Sequence, residues 1–249
     1  MHKRLKEDGR TNFRGLQLPV QSKLNYQKFA EYLKDYWDWQ LPLFIKFGFP
    51  FDIKDEDNIK INYKSAILNP KDTEAYLQEE IKHNAILGLF STPPFPVHTS
   101  PFLTQDKANS ETKRVIVDLS WPLGQSVNNQ VASNNYVDRD FILTLPTIDN
   151  VTKSVRKFGQ NCFIAKVDIS RAFKHIPISF VLEFLFYWKN LVFGFKQGSQ
   201  IFQRCSDSIR YFMSKEKHYI LNYIDDYLIF GKKINVAELL IGFINFWKN

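Results

Sequence analysis

Tyr219-Ile220-Leu221-Asn222-Tyr223-Ile224-Asp225-Asp226-Tyr227-Leu228-Ile229-Phe230 sets two adjacent carboxylates between two apolar, strand-like runs. That pattern predicts a β-hairpin with acidic groups at its turn. A third carboxylate, Asp168, lies in another strand-like run, Phe163-Ile164-Ala165-Lys166-Val167-Asp168-Ile169. Three acidic side chains gathered from two strands can hold two divalent cations for phosphoryl transfer. Taken alone the Tyr-x-Asp-Asp string is weak, because Asp is a favoured turn residue for conformational reasons. Its meaning depends on what accompanies it.

At 249 residues the chain can bury a real core as one large domain or two lobes. Hydrophobic content of 44% is ordinary and the 16% aromatic share is high. A formal net charge of +7 favours a polyanionic partner, though only softly. Cys162 and Cys205 are too few for a disulfide framework and fit a reducing compartment. No apolar run reaches the length of a membrane span. The basic start Met1–Arg10 lacks the apolar segment of a signal peptide. These features predict an intracellular protein of the cytoplasm or nucleus, not secreted and with no membrane partner.

Along the chain, residues 1–25 read as a loose polar arm. Phe29, Leu33 and Tyr36 share one face of a helix over Tyr26–Tyr36, and the aromatics from Trp37 to Phe51 read as packing surface. A clear helix is expected over Asp72–Leu87, then an extended segment at Ser91–Pro96. Pro101–Thr104 and Arg114–Leu119 read as a hairpin with the polar tip Gln105–Thr112. A loop (Trp121–Asp138) follows, and helices are expected over Thr147–Phe158, Phe180–Trp188, Ser199–Ser214 and Val236–Trp247.

Lys166-Val167-Asp168-Ile169-Ser170-Arg171-Ala172-Phe173-Lys174 resembles the first catalytic motif of reverse transcriptases. Phe193-Gly194-Phe195-Lys196-Gln197-Gly198-Ser199 resembles their next motif, and Tyr223-Ile224-Asp225-Asp226 the third, in the family's order. Lys113–Ser120 is similar to the fingers strand that precedes the palm. Arg114–Pro122, Ser126-Val127-Asn128 and Leu145–Asp149 look most like DIRS-type retrotransposon enzymes. The resemblance spans roughly residues 60–235, and four ordered motifs make it specific.

The resemblance implies an α+β fold: a polymerase palm, an antiparallel sheet with helices on one face, plus a fingers subdomain. It divides the chain into an N-terminal extension (1–60), fingers (61–145) and a palm (146–249) that stops after the catalytic hairpin. The implied architecture is a right-hand polymerase lacking the thumb. Thumb and RNase H portions are expected on a longer polypeptide.

The implied activity is RNA-directed DNA polymerisation, adding dNTPs to a primer 3′-end on an RNA or DNA template. The alternative is a catalytically inactive, truncated nucleic-acid-binding remnant. Asp168, Asp225 and Asp226, with the backbone of Ile169, would ligate two Mg²⁺ ions, or Mn²⁺ in their place. Consecutive strand residues face opposite ways, so Asp168 and Asp225 rank above Asp226.

In the same arrangement Phe173 would lie under the incoming sugar and exclude a 2′-hydroxyl; its plain alternative is a core aromatic. Arg114 would hold the α-phosphate with a bidentate guanidinium. Lys107 would meet the outer phosphates, while Lys113 alternates to the other face, toward template or solvent. The backbone of Arg171 and Ala172 would run beside the triphosphate, with the Arg171 side chain alternatively a solvated charge. Gly194 would allow close backbone approach to the nucleotide pair, or serve as a plain turn glycine. Tyr223 and Ile224 would lie near the primer terminus, or be ordinary strand residues.

One departure from the family carries a structural expectation. Between Ile178 and Phe193 a stretch on the order of ten residues is missing, about a strand and its turn. That shortening predicts a poorly anchored Phe193-Gly194 turn.

Overall fold

The computed structural model describes residues 10–13, 16–20, 22–49, 59–88, 99–131, 142–178, 187–215 and 218–248. In chain order the first elements are β1 (Arg10–Phe13), β2 (Leu16–Pro19), α1 (Tyr26–Tyr32), α2 (Leu41–Phe47), α3 (Lys64–Leu68), α4 (Pro70–Lys82) and β3 (Ile86–Leu87). Next come β4 (Phe102–Asp106), β5 (Lys113–Val117), α5 (Val127–Gln130), α6 (Ile148–Phe158), β6 (Phe163–Asp168) and a 3-10 turn over Ala172–His175. The last are β7 (Tyr187–Trp188), α7 (Gly198–Lys215), β8 (Tyr219–Tyr223), β9 (Asp226–Gly231) and α8 (Lys233–Lys248). The protein is α+β, with small antiparallel sheets and helices packed around them.

The largest sheet has the order β6-β9-β8, with Asp168 opposite Asp226 and Tyr223 opposite Asp226 across the two pairings. Alternation along the strands sorts the residues onto two faces. Ile220, Asn222, Tyr227 and Ile229 are buried on one face. There the Tyr227 ring meets Phe243 of α8 at 4.6 Å, and its hydroxyl shares a 2.8 Å hydrogen bond with Ser206 of α7. Lys166, Asp168 and Asp226 occupy the other, more open face. The expectation of helices on one face holds for α7 and α8. Departing from it, α6 sets Phe158 5.6 Å from the ring of Tyr219, which alternates to the carboxylate-bearing face. That contact is at the end of the sheet remote from the acidic turn.

The β4–β5 hairpin runs in register from Phe102 opposite Val117 to Asp106 opposite Lys113. It leans on α3, where Ser65 accepts from the Thr104 amide at 3.1 Å, and on α4 through a Tyr76–Phe102 edge contact. Helix α4 starts with Pro70 at its first position and ends earlier than the expected Leu87. Asn84 adopts a left-handed φ of 57°, which turns the chain out of the helix. Ile86–Leu87 then pair with Tyr187–Trp188 as a short ladder. Tyr187 and Trp188 are thus strand, not the end of the expected helix, whose earlier part lies outside the described residues, as does Ser91–Pro96. The expected arm contains a small β1–β2 hairpin.

Residues 22–49 are bound into the core beside α7. The ring of Tyr32 stacks on Phe212 at 4.1 Å, and Tyr36 meets Tyr211 at 4.7 Å. Asp38, wholly buried, receives both Nε and Nη2 of Arg204, whose guanidinium also lies 4.9 Å from the Phe44 ring centre. Phe44 and Phe49 are fully buried as packing residues, but Trp37 and Trp39 are exposed, because their backbone lies in the turn between α1 and α2. Phe51 lies outside the described residues. Among the described residues, no helix is long and apolar enough to cross a membrane.

Candidate active site

The acidic turn is a two-residue loop, Ile224-Asp225, between Tyr223 and its partner Asp226. Ile224 takes a left-handed φ of 56°. For a β-branched residue that conformation costs on the order of 1–3 kcal/mol and persists only where neighbours impose it. The neighbours are on α7. Buried Gln203 accepts from the Ile224 amide at 2.9 Å, and Ser206 donates to the Ile224 carbonyl. Gln203 is itself oriented by donating to Asp207 at 3.0 Å. The helix after the Phe193-Gly194 turn therefore holds the turn that presents Asp225.

In front of this turn is a cleft of about 690 Å³. Asp168, Asp225, Arg114, Ile169, Arg171, Ala172 and Phe173 line it together, so seven residues from three separated motifs share one cavity. Asp226 is not among its lining residues; its carboxylate takes the Lys166 ammonium at 3.0 Å. That pairing with Asp226 and the nearby carboxylates of Asp168 and Asp225 raise the Lys166 pKa. Asp225 is pushed up from the usual carboxylate range, first by partial burial and then by the charges of Asp168 and Asp226. Like charges crowded in a half-buried cleft favour a bound cation.

No family model and no curated protein matches the chain.

Mg²⁺ is tested by the donor set. It takes hard oxygen ligands and uses one or two carboxylates completed by waters and substrate phosphates. Asp168 and Asp225 with the Ile169 backbone fit that requirement. Among the described residues, no group of three or more His, Cys, Asp or Glu side chains is gathered to hold a metal. Asp226 is engaged by Lys166.

The other expected residues sort unevenly. Phe173 sits at the cleft, half-buried, with its ring 5.7 Å from Phe193 and 5.5 Å from Phe202. Arg114 is exposed on β5 and lines the cleft. Lys107 does not line it: it stays at the hairpin tip, reaching Thr112 Oγ1 at 3.4 Å. Lys113 is paired with Asp106. Tyr223 is about half exposed beside the turn. Gly194 has φ of 88°, which glycine alone adopts without strain. The Phe193-Gly194 turn is well anchored, contrary to expectation. Asn128 donates to the Gly194 carbonyl at 2.9 Å and accepts from the Lys196 amide at 2.8 Å. Its own amide bonds the Leu119 carbonyl, so the segment after β5 ties to the turn.

Arg171 is not a solvated charge. Its guanidinium meets Glu80 of α4 at 2.9 Å, and its backbone takes a left-handed φ of 55° before the 3-10 turn that carries Phe173. Buried Lys174 completes the cluster, 3.6 Å from Glu80 and 3.6 Å from the Trp188 ring centre. Glu80, Lys174 and Asn128 carried no local signal of these roles, since each acts on a partner distant in the chain.

Burial pushes the Lys174 pKa down from 10.5 to about 8, against the pull of Glu80 and with the help of Arg171. Between pH 8 and 10.5 the unfolded chain holds this proton and the folded chain does not, so stability rises with pH there. Above pH 10 the buried hydroxyls of Tyr36, Tyr76 and Tyr227, whose pKa values burial raises, act in the opposite sense. Chemical denaturation at pH 8 and pH 10 should therefore show a rising term that Lys174→Met lacks. An identical pH dependence in the two proteins would contradict it.

Proposed function

We propose that the chain is the fingers-and-palm portion of an RNA-directed DNA polymerase, a reverse transcriptase of a DIRS-like retroelement. The observation that carries this reading is the single cleft shared by Asp168, Asp225, Arg114 and Phe173, residues drawn from motifs that resemble the family's in order. A net charge of +7 suits a primer–template partner, RNA or DNA. The cytoplasm or nucleus is the corresponding compartment.

In this reading Asp168 and Asp225 hold the catalytic Mg²⁺ (or Mn²⁺), aided by the Ile169 carbonyl. Bound there, the metal supplies activation of the primer 3′-hydroxyl and neutralisation of charge at the leaving pyrophosphate. Arg114 offers a planar, permanently charged fork to the α-phosphate. The backbone of Arg171 and Ala172 borders the triphosphate. Phe173 excludes a 2′-hydroxyl by volume. Gln203 and Ser206 keep the strained turn in the conformation that presents Asp225. Tyr223 and Ile224 border the primer terminus. Lys107 has no role in the cleft as it stands.

Primer extension on RNA and DNA templates, with and without Mg²⁺, tests the proposal. Phe173→Ala should relax discrimination against rNTPs by about tenfold or more, a loss on the scale of one steric contact of 1–3 kcal/mol. Unchanged sugar preference would remove Phe173 from that role.

A second reading, a nucleic-acid-binding remnant without catalysis, draws on the Lys166–Asp226 pair, which leaves the carboxylates short of a preassembled cage. Salt-sensitive binding of RNA or DNA with no Mg²⁺-dependent extension would favour it.

A further inference from the structure

We propose that Gly198, the first residue of α7, sets how far the Phe173 ring stands into the cleft and thereby how tightly the incoming nucleotide is held there. The inference rests on the polymerase reading above.

The ring of Phe173 is bracketed on three sides. Phe202, tilted at 5.5 Å, is wholly buried behind it. Phe193 meets it edge-on at 5.7 Å and is 72% exposed at the rim. The third side is the α-carbon of Gly198. A Cβ there would stand 3.2 Å from Phe173 Cε1 and 3.6 Å from Cδ1. The edge of the ring uses the space that a side chain at this position would fill.

Backbone conformation does not explain the glycine. Gly198 is absent from the positive-φ residues, and its amide makes an ordinary 2.8 Å bond to the Phe195 carbonyl. At a position with helical backbone, alanine is the better residue on propensity alone. What remains is the contact with the ring.

An added methyl would force the ring to give by a few tenths of an ångström. Phe202 is locked in a close-packed core and does not yield. Exposed Phe193 can. The ring therefore moves toward the rim and the cleft, the side on which the sugar lies in the proposed arrangement. Small misplacements of a group that positions substrate have large effects on binding and rate.

The test is a double-mutant cycle on Gly198→Ala and Phe173→Ala. It reads KM and kcat for dATP in primer extension and, by calorimetry, dATP binding with Mg²⁺. Gly198→Ala should raise KM and the dissociation constant about fivefold, with kcat within about twofold, the pattern of lost ground-state binding. In the Phe173→Ala background the same change should be nearly silent, below about twofold, because no ring is left to displace. Wild-type behaviour of Gly198→Ala overturns the inference, and so does an equal loss in both backgrounds, which is the result that misfolding would give. Wild-type protein that neither binds dATP nor extends a primer removes the polymerase reading and this inference with it. Wild-type activity with an unaltered Gly198→Ala variant removes this inference alone.

Discussion

Asp225→Asn should lower Mg²⁺-dependent primer extension by a factor of about 10² to 10³ or more, with no loss of thermal stability. Asparagine keeps the shape of the turn but removes one of the two carboxylates that line the cleft. Losing one preorganised electrostatic stabiliser costs roughly that factor in rate. Stability should hold or rise slightly. Partial burial and the charges of Asp168 and Asp226 already disfavour ionised Asp225, so neutralising it relieves crowding. Asp226→Asn should cost far less, about tenfold at most, because Asp226 is paired with Lys166 and does not line the cleft. Extension by Asp225→Asn at the wild-type rate would sink the catalytic assignment. Equal losses in the two variants would show that Asp226 leaves Lys166 when metal and substrate bind.

The largest stability effect belongs to Arg204→Met, at about 3–5 kcal/mol. Arg204 and Asp38 are buried together, with side-chain exposures of 5% and 0%. Removing the guanidinium takes two charged donors from a carboxylate that water cannot reach, and it also removes the cation from the Phe44 ring. Replacing both partners, Asp38→Leu with Arg204→Met, should recover most of the loss, since a buried ion pair exchanged for apolar groups is often neutral. Urea unfolding with an unchanged slope and a shifted midpoint is the readout. A single-variant loss below about 1 kcal/mol would contradict this.

Periodicity made much of this architecture legible. The β6 strand, the acidic hairpin, α6 and α7 lie within a residue or two of where apolar spacing and the caps put them, because each is a local pattern. Asp168 and Asp225 could be singled out for the same reason. The rest depends on long-range geometry. Nothing within reach of Asn128 in the chain says that its side chain will bridge to Gly194 and Lys196, 66 and 68 residues away. Lys107 illustrates the converse: strand alternation predicts a face, but it cannot say toward what a hairpin tip leans. Ile224 sits in a conformation its own type disfavours, and only Gln203 and Ser206 of α7 account for that. Glu80 sits on a helix whose pattern suggests an exposed face, yet it is buried between two cations of the 3-10 turn.

The Asp38–Arg204 pair also imposes an order on biogenesis. Its members are 166 residues apart in the chain. At roughly 5–20 residues per second, synthesis separates them by about 8–33 s. Throughout that interval the α1–α2 segment is outside the ribosome with its aromatic face and one carboxylate waiting for α7. Holdase chaperones that bind exposed apolar surface have a defined window in which to act, and it closes only once α7 has emerged through Phe212.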